Sequence, residues 1–344
     1  MPLLQNVGRA IRDWLARRFP RLFRRKPPQP GRFVSDSKLS WRGFLRTAPW
    51  HLPQREYLVY VPDGADARFN FRRHALLVLI HGCRQTPEDI ATGTRITALA
   101  DRERFLVLLP RQHSRANSWG CWNWFDGATV SGAGETAIVA AQIRAARKSF
   151  RIDKKRVFVA GMSAGGALAA VLGLRRPDLV AGVFVHSGIA CGAAASPYHA
   201  MDVLKKGPDN DVVRIALKAR EESDGHSLPV PLYAVQGERD EIVNPVNSVE
   251  LVRQYLAFNG HPAAAQSAPG ALPPADRHVV TSTSDARIVT TSEWHLDGRK
   301  IATHVCVQGL GHAWAGGDPQ FAFHDANAPD ATLLLAAFMS DTVQ

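Results

Sequence analysis

An apolar segment that runs directly into a glycine-rich turn and then into a small-residue helix most constrains the fold of this chain. Val157–Ala160 has the composition of a buried strand, and Ala164–Leu174 has that of a helix. Residues 161–165 between them form a G-x-S-x-G pattern. The turn is so tight that its serine, Ser163, must adopt a strained backbone, and side chains in place of its two glycines would collide with the strand or the helix. We therefore expect the Ser163 hydroxyl to stand above the edge of a sheet, at the positive end of a helix.

Continuous apolar segments alternate with helical segments along the chain. Because most of the predicted strands lack polar alternation, they are typical of a sheet that is covered on both faces. These strands are Tyr57–Val61, Ala75–Ile80, Leu106–Leu109, Val157–Ala160, Ala181–Val185, Leu232–Val235 and Thr303–Val307. Examples of the predicted helices are Glu135–Phe150, Ala164–Leu174, Pro245–Phe258 and Pro329–Met339. This order predicts an α/β fold with a mainly parallel central sheet and helices on both faces.

The predicted folded domain spans residues 55–344, with no internal repeat and no separate linker-joined module. Within it, residues 261–275 are rich in Ala and Pro and predict a loose surface loop. Residues 279–307 predict a hairpin that turns at Asp297-Gly298.

The first 32 residues carry most of the positive charge. They hold nine basic residues and one acidic residue, so the rest of the chain contributes only +3 to the net charge of +11. The pattern of residues 1–32 predicts a basic arm that consists of a short amphipathic helix followed by prolines. Residues 33–54 are predicted to connect this arm to the domain. Two interpretations stay open, a solvated arm or a peripheral contact of residues 1–26 with an anionic membrane or a polymer granule. We expect no transmembrane helix, and the body lacks the motifs of a nucleic-acid-binding domain.

A serine hydroxyl becomes a nucleophile only when a base takes its proton, and an acid normally orients that base. The acid is expected after the serine in the chain. Asp240 is the preferred candidate because it lies in the loop after the strand Leu232–Val235 and precedes a helix start. Its neighbours Glu238 and Glu241 are alternatives.

The chain has 13 histidines that compete for the role of base. His312 is preferred because it follows the last predicted strand, within a glycine-rich loop that can bring the imidazole over Ser163. His186 ends a strand and is the main rival, whereas His304 lies on a strand and is expected to be packed. We therefore predict a Ser163, Asp240 and His312 triad.

The oxygen of a tetrahedral intermediate needs backbone N–H donors. We predict the N–H of Ala164, the residue after the nucleophile, and the N–H of Cys83, in the loop after the strand Ala75–Ile80. The His81 side chain is expected to brace this loop or to be an ordinary polar residue at the strand end.

Aromatic residues lie close to these positions in the chain. Trp122 and Trp124 belong to a loop that could form a wall of an ester pocket or pack as a surface cluster. The predicted substrate pocket consists of His81, Trp122, Trp124 and Trp314.

The four cysteines permit up to two disulfides and require none. Cys83 and Cys121 could join, and Cys191 and Cys306 could form a second pair or stay thiols. The sequence lacks C-x-x-C and H-E-x-x-H spacing, so we expect no metal site, and the predicted chemistry requires no cofactor.

With these residues assembled, the chain resembles the polyhydroxybutyrate-depolymerase-type esterases of the α/β-hydrolase superfamily over residues 55–340. The matching segments are 79–86 (L-I-H-G-C-x-Q-T), 121–124 (C-W-N-W), 159–166 (V-A-G-M-S-A-G-G), 186–188 (H-S-G), 237–240 (G-x-x-D) and 311–317 (G-H-A-W-x-G-G). The resemblance implies an α/β-hydrolase fold, the same triad and a disulfide between Cys83 and Cys121. It also implies a secreted enzyme, extracellular or periplasmic; attachment in the cytoplasm through the basic arm is the alternative.

Two features depart from the family pattern. Members that attack solid polymer usually carry a secretion signal and a carboxyl-terminal binding module, and neither is visible here. In addition, the usual His-Gly-Asp before the acid is replaced by Gln236-Gly237-Glu238. The expected activity is hydrolysis of hydroxyalkanoate oligomers or related short-chain esters, without a nucleic-acid partner. A feruloyl or acetylxylan esterase and a non-catalytic binding protein on a hydrolase fold are the alternatives.

Overall fold

The computed structural model describes residues 31–35, 55–62, 73–223 and 229–342. In chain order, its strands are β1 (Arg32–Ser35), β2 (Tyr57–Val61), β3 (His74–Ile80), β4 (Leu106–Pro110), β5 (Ile152–Met162), β6 (Gly182–His186), β7 (Leu232–Gly237), β8 (Arg277–Ser282), β9 (Ile288–Leu296), β10 (Arg299–Val307), β11 (Trp314–Ala315) and β12 (His324–Asp325). Its α-helices are α1 (Pro87–Gly93), α2 (Ile96–Glu103), α3 (Gly127–Val130), α4 (Gly134–Ser149), α5 (Ala164–Arg175), α6 (Pro197–Lys206), α7 (Val212–Glu222), α8 (Val246–Asn259) and α9 (Ala331–Asp341).

A ten-stranded sheet has the order β1-β2-β4-β3-β5-β6-β7-β10-β9-β8. The six strands from β4 to β10 in this order are parallel to one another. The strands at both ends of the sheet pair antiparallel. The predicted α/β fold with a mainly parallel sheet is therefore confirmed, and the carboxyl ends of the six parallel strands lie at one edge.

Helices cover both faces of this sheet. Helices α4, α5, α7 and α8 contribute buried residues to the core on one face, and α1, α2 and α9 contribute to the core on the other. All seven residues of β3 are buried because successive side chains point into opposite cores. Burial on both faces explains why the strands have continuous apolar sequences.

The structure contains elements that the sequence analysis did not predict, among them β1, β8, α6 and α7. Strand β1, which was not predicted, pairs antiparallel with β2. The expected loose loop at residues 261–275 contains a 3₁₀ helix, Pro262–Gln266, in which Ala263 and Ala264 are buried. The small alanine side chains let the start of this segment pack against the core, whereas residues 265–271 are mostly exposed, as a surface loop would be. The hairpin predicted over residues 279–307 is formed by β9 and β10 and begins at Ile288, with Asp297 and Gly298 at its turn. Residues 277–282 form a further strand, β8, which pairs antiparallel with β9.

The predicted amphipathic helix of the basic arm and most of the connecting segment lie outside the described residues. The proposed division at residues 32 and 54 stays a prediction. Among the helices that the structure describes, none combines the length and apolar character needed to cross a membrane.

Candidate active site

Ser163 lies in the tight turn between β5 and α5. Its φ of 57° and ψ of −125° are unusual for a residue with a side chain. A Cβ on Gly161 would overlap the backbone of Gly165, and a Cβ on Gly165 would overlap the carbonyl oxygens of Ile80 and His81. The sequence predicted a strained backbone at Ser163 and a need for glycine at positions 161 and 165. The backbone geometry confirms both predictions.

The loops after β7 and β10 bring Asp240 and His312 together. His312 Nδ1 lies 2.8 Å from Oδ2 of Asp240, although the two residues are 72 positions apart. Both side chains are buried, with exposures of 0% for Asp240 and 7% for His312. Because an ionised carboxylate only accepts hydrogen bonds, Nδ1 donates, and Nε2 of the neutral imidazole is left as the basic nitrogen.

Asp240 is fixed by several donors besides His312. Its Oδ1 accepts from the backbone N–H groups of Ile242 at 3.1 Å and Val243 at 2.8 Å, and its Oδ2 accepts from Gln236 Nε2 at 3.2 Å. Burial alone would raise the pKa of Asp240. The hydrogen bond and charge of His312, together with the Val243 N–H, outweigh burial and lower this pKa.

His186 connects the turn of Ser163 to the loop of His312. The Ser163 N–H donates to the His186 carbonyl at 3.0 Å, and the Ala315 N–H donates to His186 Nε2 at 3.3 Å. The His186 side chain is fully buried, and burial lowers its pKa to about 3. Its Nδ1 lies 3.2 Å from Ser187 Oγ. With both ring nitrogens engaged, His186 is less suited than His312 to act as a base.

The loop after β3 passes directly beside Ser163. A Cβ on Gly82 would lie 3.5 Å from the Ser163 Cβ. The Gly82 N–H donates to Gln85 Oε1 at 2.9 Å, and the Arg84 N–H donates to the Trp119 carbonyl at 2.9 Å. Two hydrogen bonds therefore fix the backbone on either side of Cys83, whose N–H is a predicted oxyanion donor.

The second predicted oxyanion donor is at the start of a helix. Ala164 is the first residue of α5, and the first N–H groups of a helix have no acceptor within the helix. This N–H therefore needs an acceptor from outside the helix, and its role as an oxyanion donor stays a prediction.

Cys83 and Cys121 form a disulfide across a sequence separation of 38 residues. The bond joins the loop after β3 to residues 121–125, the aromatic loop that contains Trp122 and Trp124. Cys191 and Cys306 are free thiols. The pairing implied by the family resemblance is confirmed, and the choice that the sequence left open for the other two cysteines is decided.

Glu135, a buried carboxylate at the start of α4, fixes the aromatic loop through hydrogen bonds. Its Oε1 accepts from Gln112 Nε2 at 2.6 Å, and its Oε2 accepts from the Asn123 N–H at 2.6 Å. The Arg55 guanidinium forms an ion pair with Glu135 at 3.5 Å. This contact of Glu135 could not be predicted from the sequence, because an acidic residue in the first turn of a helix is ordinarily solvated.

The four predicted pocket residues are all largely buried. Trp122 and Trp314 are 0% exposed and Trp124 is 4% exposed. His81 borders a cavity of about 730 Å³ that polar residues, including Gln85 and Arg111, also line. The assignment of these four residues to a substrate pocket stays a prediction.

His81 also braces the loop after β3. Its Nε2 accepts from the Gln112 N–H at 3.2 Å, so its Nδ1 donates to the Gly82 carbonyl at 2.8 Å. Burial lowers the pKa of His81 to about 4. Its side chain is therefore neutral near pH 7 and fixes the backbone next to Ser163.

The contact of Gln236 with the carboxylate of Asp240 was not predicted from the sequence. The sequence contained one signal for Gln236, because this residue replaces the His of the usual His-Gly-Asp segment of the family.

Comparisons with known proteins agree with this architecture. The model of the family Esterase PHB depolymerase matches residues 55–271. Poly(3-hydroxyalkanoate) depolymerase C of Paucimonas lemoignei is 31% identical over 204 residues, which cover 58% of this chain and 48% of that protein. Feruloyl esterase B of Neurospora crassa is 26% identical over 202 residues, which cover 57% of this chain and 67% of that protein.

A solved structure supports the fold. The acetyl xylan esterase from Aspergillus awamori superposes with a TM-score of 0.63 at 20% identity, covering 82% of this chain and 94% of its own. The match to depolymerase C spans about half the length of that relative, so the comparison concerns the shared domain. Because the family model covers more than half of the sequence, the chain belongs to the esterase PHB depolymerase family of the α/β-hydrolase superfamily.

Proposed function

We propose that this protein is a serine esterase that hydrolyses carboxylic esters through Ser163, His312 and Asp240. The observation that carries this proposal is the strained Ser163 turn at the same sheet edge as the buried His312–Asp240 pair. Membership of a family named for esterases supports the same reaction class.

The proposed reaction begins when Ser163 Oγ attacks the carbonyl carbon of the ester while His312 Nε2 takes the hydroxyl proton. The N–H groups of Ala164 and Cys83 bind the oxyanion of the tetrahedral intermediate. His312 then gives its proton to the departing alcohol, which leaves an acyl group on Ser163. A water molecule, deprotonated by His312, hydrolyses this acyl-enzyme and restores the serine. Asp240 holds the imidazole in the tautomer that keeps Nε2 basic.

The proposed substrates are hydroxyalkanoate oligomers or related short-chain esters. The 31% identity to poly(3-hydroxyalkanoate) depolymerase C favours this class. An esterase for acyl groups on polysaccharide is the second candidate, favoured by the match to feruloyl esterase B. Both candidates use the same triad, so the choice depends on which alcohol and acyl groups the site accepts.

The disulfide supports a proposal about the compartment. Structural disulfides form and persist in oxidising environments. We therefore propose that the protein matures outside the cytoplasm, in an extracellular or periplasmic location. The absence of oxidised Cys83 and Cys121 in protein recovered from its native cells would contradict this location.

A fluorophosphonate probe tests the reaction class directly. We expect the wild-type protein to gain one probe mass and to hydrolyse 4-nitrophenyl esters, whereas Ser163→Ala should do neither. An unlabelled and inactive wild type would instead support the non-catalytic binding protein. Initial rates on hydroxybutyrate oligomers, methyl ferulate and acetylated xylan then separate the two substrate classes, with Ser163→Ala as the blank for each.

A further inference from the structure

The side chain of Phe323 lies directly beside the proposed base. Its ring meets the imidazole of His312 edge to face, with centroids 6.0 Å apart and ring planes at 78°. Phe323 has a φ of 63°, which a bulky side chain rarely adopts. The Trp314 N–H donates to the Phe323 carbonyl at 2.8 Å and fixes this backbone. Strained backbone that its surroundings hold in place is concentrated at active sites, so the position of this ring is a candidate for a functional role.

The segment that carries Phe323, residues 316–323 between β11 and β12, is docked on the end of α1. The Asp318 N–H donates to the carbonyl of Gly93, the last residue of α1, at 2.7 Å. A Cβ on Gly93 would overlap the ring of His324, the first residue of β12, so the two backbones approach closely. The segment is therefore fixed at its start and at its end, and Phe323 is held next to the base.

The same segment is tied to the loop after β3, which contains the proposed oxyanion donor Cys83. Gln85 Nε2 donates to the carbonyl of Ala322 at 3.2 Å, and Gln85 Oε1 accepts from the Gly82 N–H at 2.9 Å. One glutamine side chain thus joins the residue before Phe323 to the backbone beside Cys83. In the proposed reaction the ester carbonyl lies between the oxyanion donors and the imidazole, so Phe323 flanks the place where the ester binds.

Phe323 keeps exposed apolar surface at this position. Its side chain is half-buried and packs against the core on the face of the sheet that α1, α2 and α9 cover. Its neighbour Trp314 is 0% exposed and has no surface left for a ligand to cover. Covering the remaining surface of the Phe323 ring with an apolar group of a bound ester is favourable, because it removes apolar area from water.

We propose that Phe323 is a specificity-determining residue that binds an apolar substituent on the alcohol side of the ester. In the proposed mechanism His312 gives its proton to the departing alcohol, so the alcohol oxygen lies next to the imidazole and its substituents lie within reach of the ring. This inference rests on the proposed function and deepens it. An alcohol with an alkyl branch, as in a hydroxyalkanoate, covers the ring better than the hydroxyl-rich alcohol of a polysaccharide does.

Two series of esters test the proposal in Phe323→Ala, which removes the ring and keeps the Cβ. In the alcohol series, methyl, propyl and pentyl butyrate share one acyl group, and these alkanols differ little as leaving groups. We expect the wild-type kcat/KM to rise from the methyl to the pentyl ester, and the pentyl-to-methyl ratio should fall about tenfold in Phe323→Ala. In the acyl series, 4-nitrophenyl acetate, butyrate and hexanoate share one alcohol, and the hexanoate-to-acetate ratio should stay within about twofold of the wild type.

Phe321→Ala is the matched control. Phe321 is a half-buried phenylalanine in the same segment, and its ring lies against His324, with centroids 6.4 Å apart. This variant loses the same ring from the same segment and should keep the wild-type ratios in both series. Circular dichroism melts of both alanine variants check that each is folded.

Two further variants separate the apolar character of position 323 from its volume. Phe323→Leu keeps an apolar group and should retain most of the preference for the pentyl ester. Phe323→Gln has a side chain of similar length that is polar, and it should lose the preference as Phe323→Ala does. This pair carries the test on its own where the alanine variant proves unstable.

A wild-type pentyl-to-methyl ratio in folded Phe323→Ala and Phe323→Gln would overturn the inference. An equal loss in Phe321→Ala would also overturn it, because the effect would then belong to the segment and not to this ring. A change confined to the acyl series would refute the assignment to the alcohol side. A wild-type protein that hydrolyses no ester in either series would instead overturn the proposed function, so the two failures are distinguishable.

Discussion

Asp240 and His312 face each other across the ends of neighbouring parallel strands, with Oδ2 and Nδ1 2.8 Å apart. The carboxylate accepts two backbone N–H groups on its other oxygen, so it cannot rotate away from the imidazole. The alternative acids, Glu238 and Glu241, are both exposed. The described geometry therefore favours Asp240 as the residue that orients the base.

Asp240→Asn should reduce kcat by about three to four orders of magnitude, because an amide stabilises the wrong imidazole tautomer and cannot stabilise an imidazolium. Steady-state hydrolysis of a 4-nitrophenyl ester measures the effect. Glu241→Gln removes a nearby exposed charge and should retain wild-type kcat. Comparable losses in the two variants would contradict the role of Asp240.

The buried histidine His304 predicts a stability loss in acid. Burial lowers its pKa from 6.5 to about 4, so the unfolded chain binds its proton first as the pH falls. The free energy of unfolding is therefore fully present above pH 6.5 and declines between pH 6.5 and 4. Urea denaturation should show that His304→Gln loses about 2–3 kcal/mol less than the wild type over this interval. Parallel pH curves for the two proteins would contradict the prediction.

The disulfide between Cys83 and Cys121 should stabilise the fold by restricting the unfolded chain. For a separation of 38 residues, loop-closure entropy predicts about 3–4 kcal/mol. Dithiothreitol should lower the free energy of unfolding of the wild type by this amount, measured in urea. The protein with Cys83→Ser and Cys121→Ser should be insensitive to the reductant, whereas Cys191→Ser should respond like the wild type. A reductant effect that disappears in Cys191→Ser would refute the assignment.

The ion pair of Arg55 and Glu135 should behave as a coupled unit. Glu135→Gln leaves the guanidinium buried beside a neutral amide, which should lower the free energy of unfolding by about 3–5 kcal/mol. Adding Arg55→Met removes the unpaired charge and should recover part of that loss. Denaturant titrations of the two single variants and the double variant measure the coupling, and strict additivity would argue against it.

Local features of the sequence determined the strands, the main helices and the strained turn of this protein. Continuous apolar segments need burial on both faces, and the glycines of residues 161–165 allow two backbones to approach where any side chain would clash. These properties depend on neighbours in the chain, so they could be predicted without the fold. The same holds for the carboxyl-edge positions of Asp240 and His312, which follow predicted strands.

Only the tertiary structure decided which distant groups meet. The sequence offered several candidate acids and bases. The structure brings Asp240 into contact with His312, although the two residues are 72 positions apart. The burial of Trp314 against the ring of His186 likewise depends on how the loop after β10 packs at the end of β6. Sequence periodicity specifies which face of an element is buried, whereas the residues that meet across a sheet edge depend on how all the elements pack together.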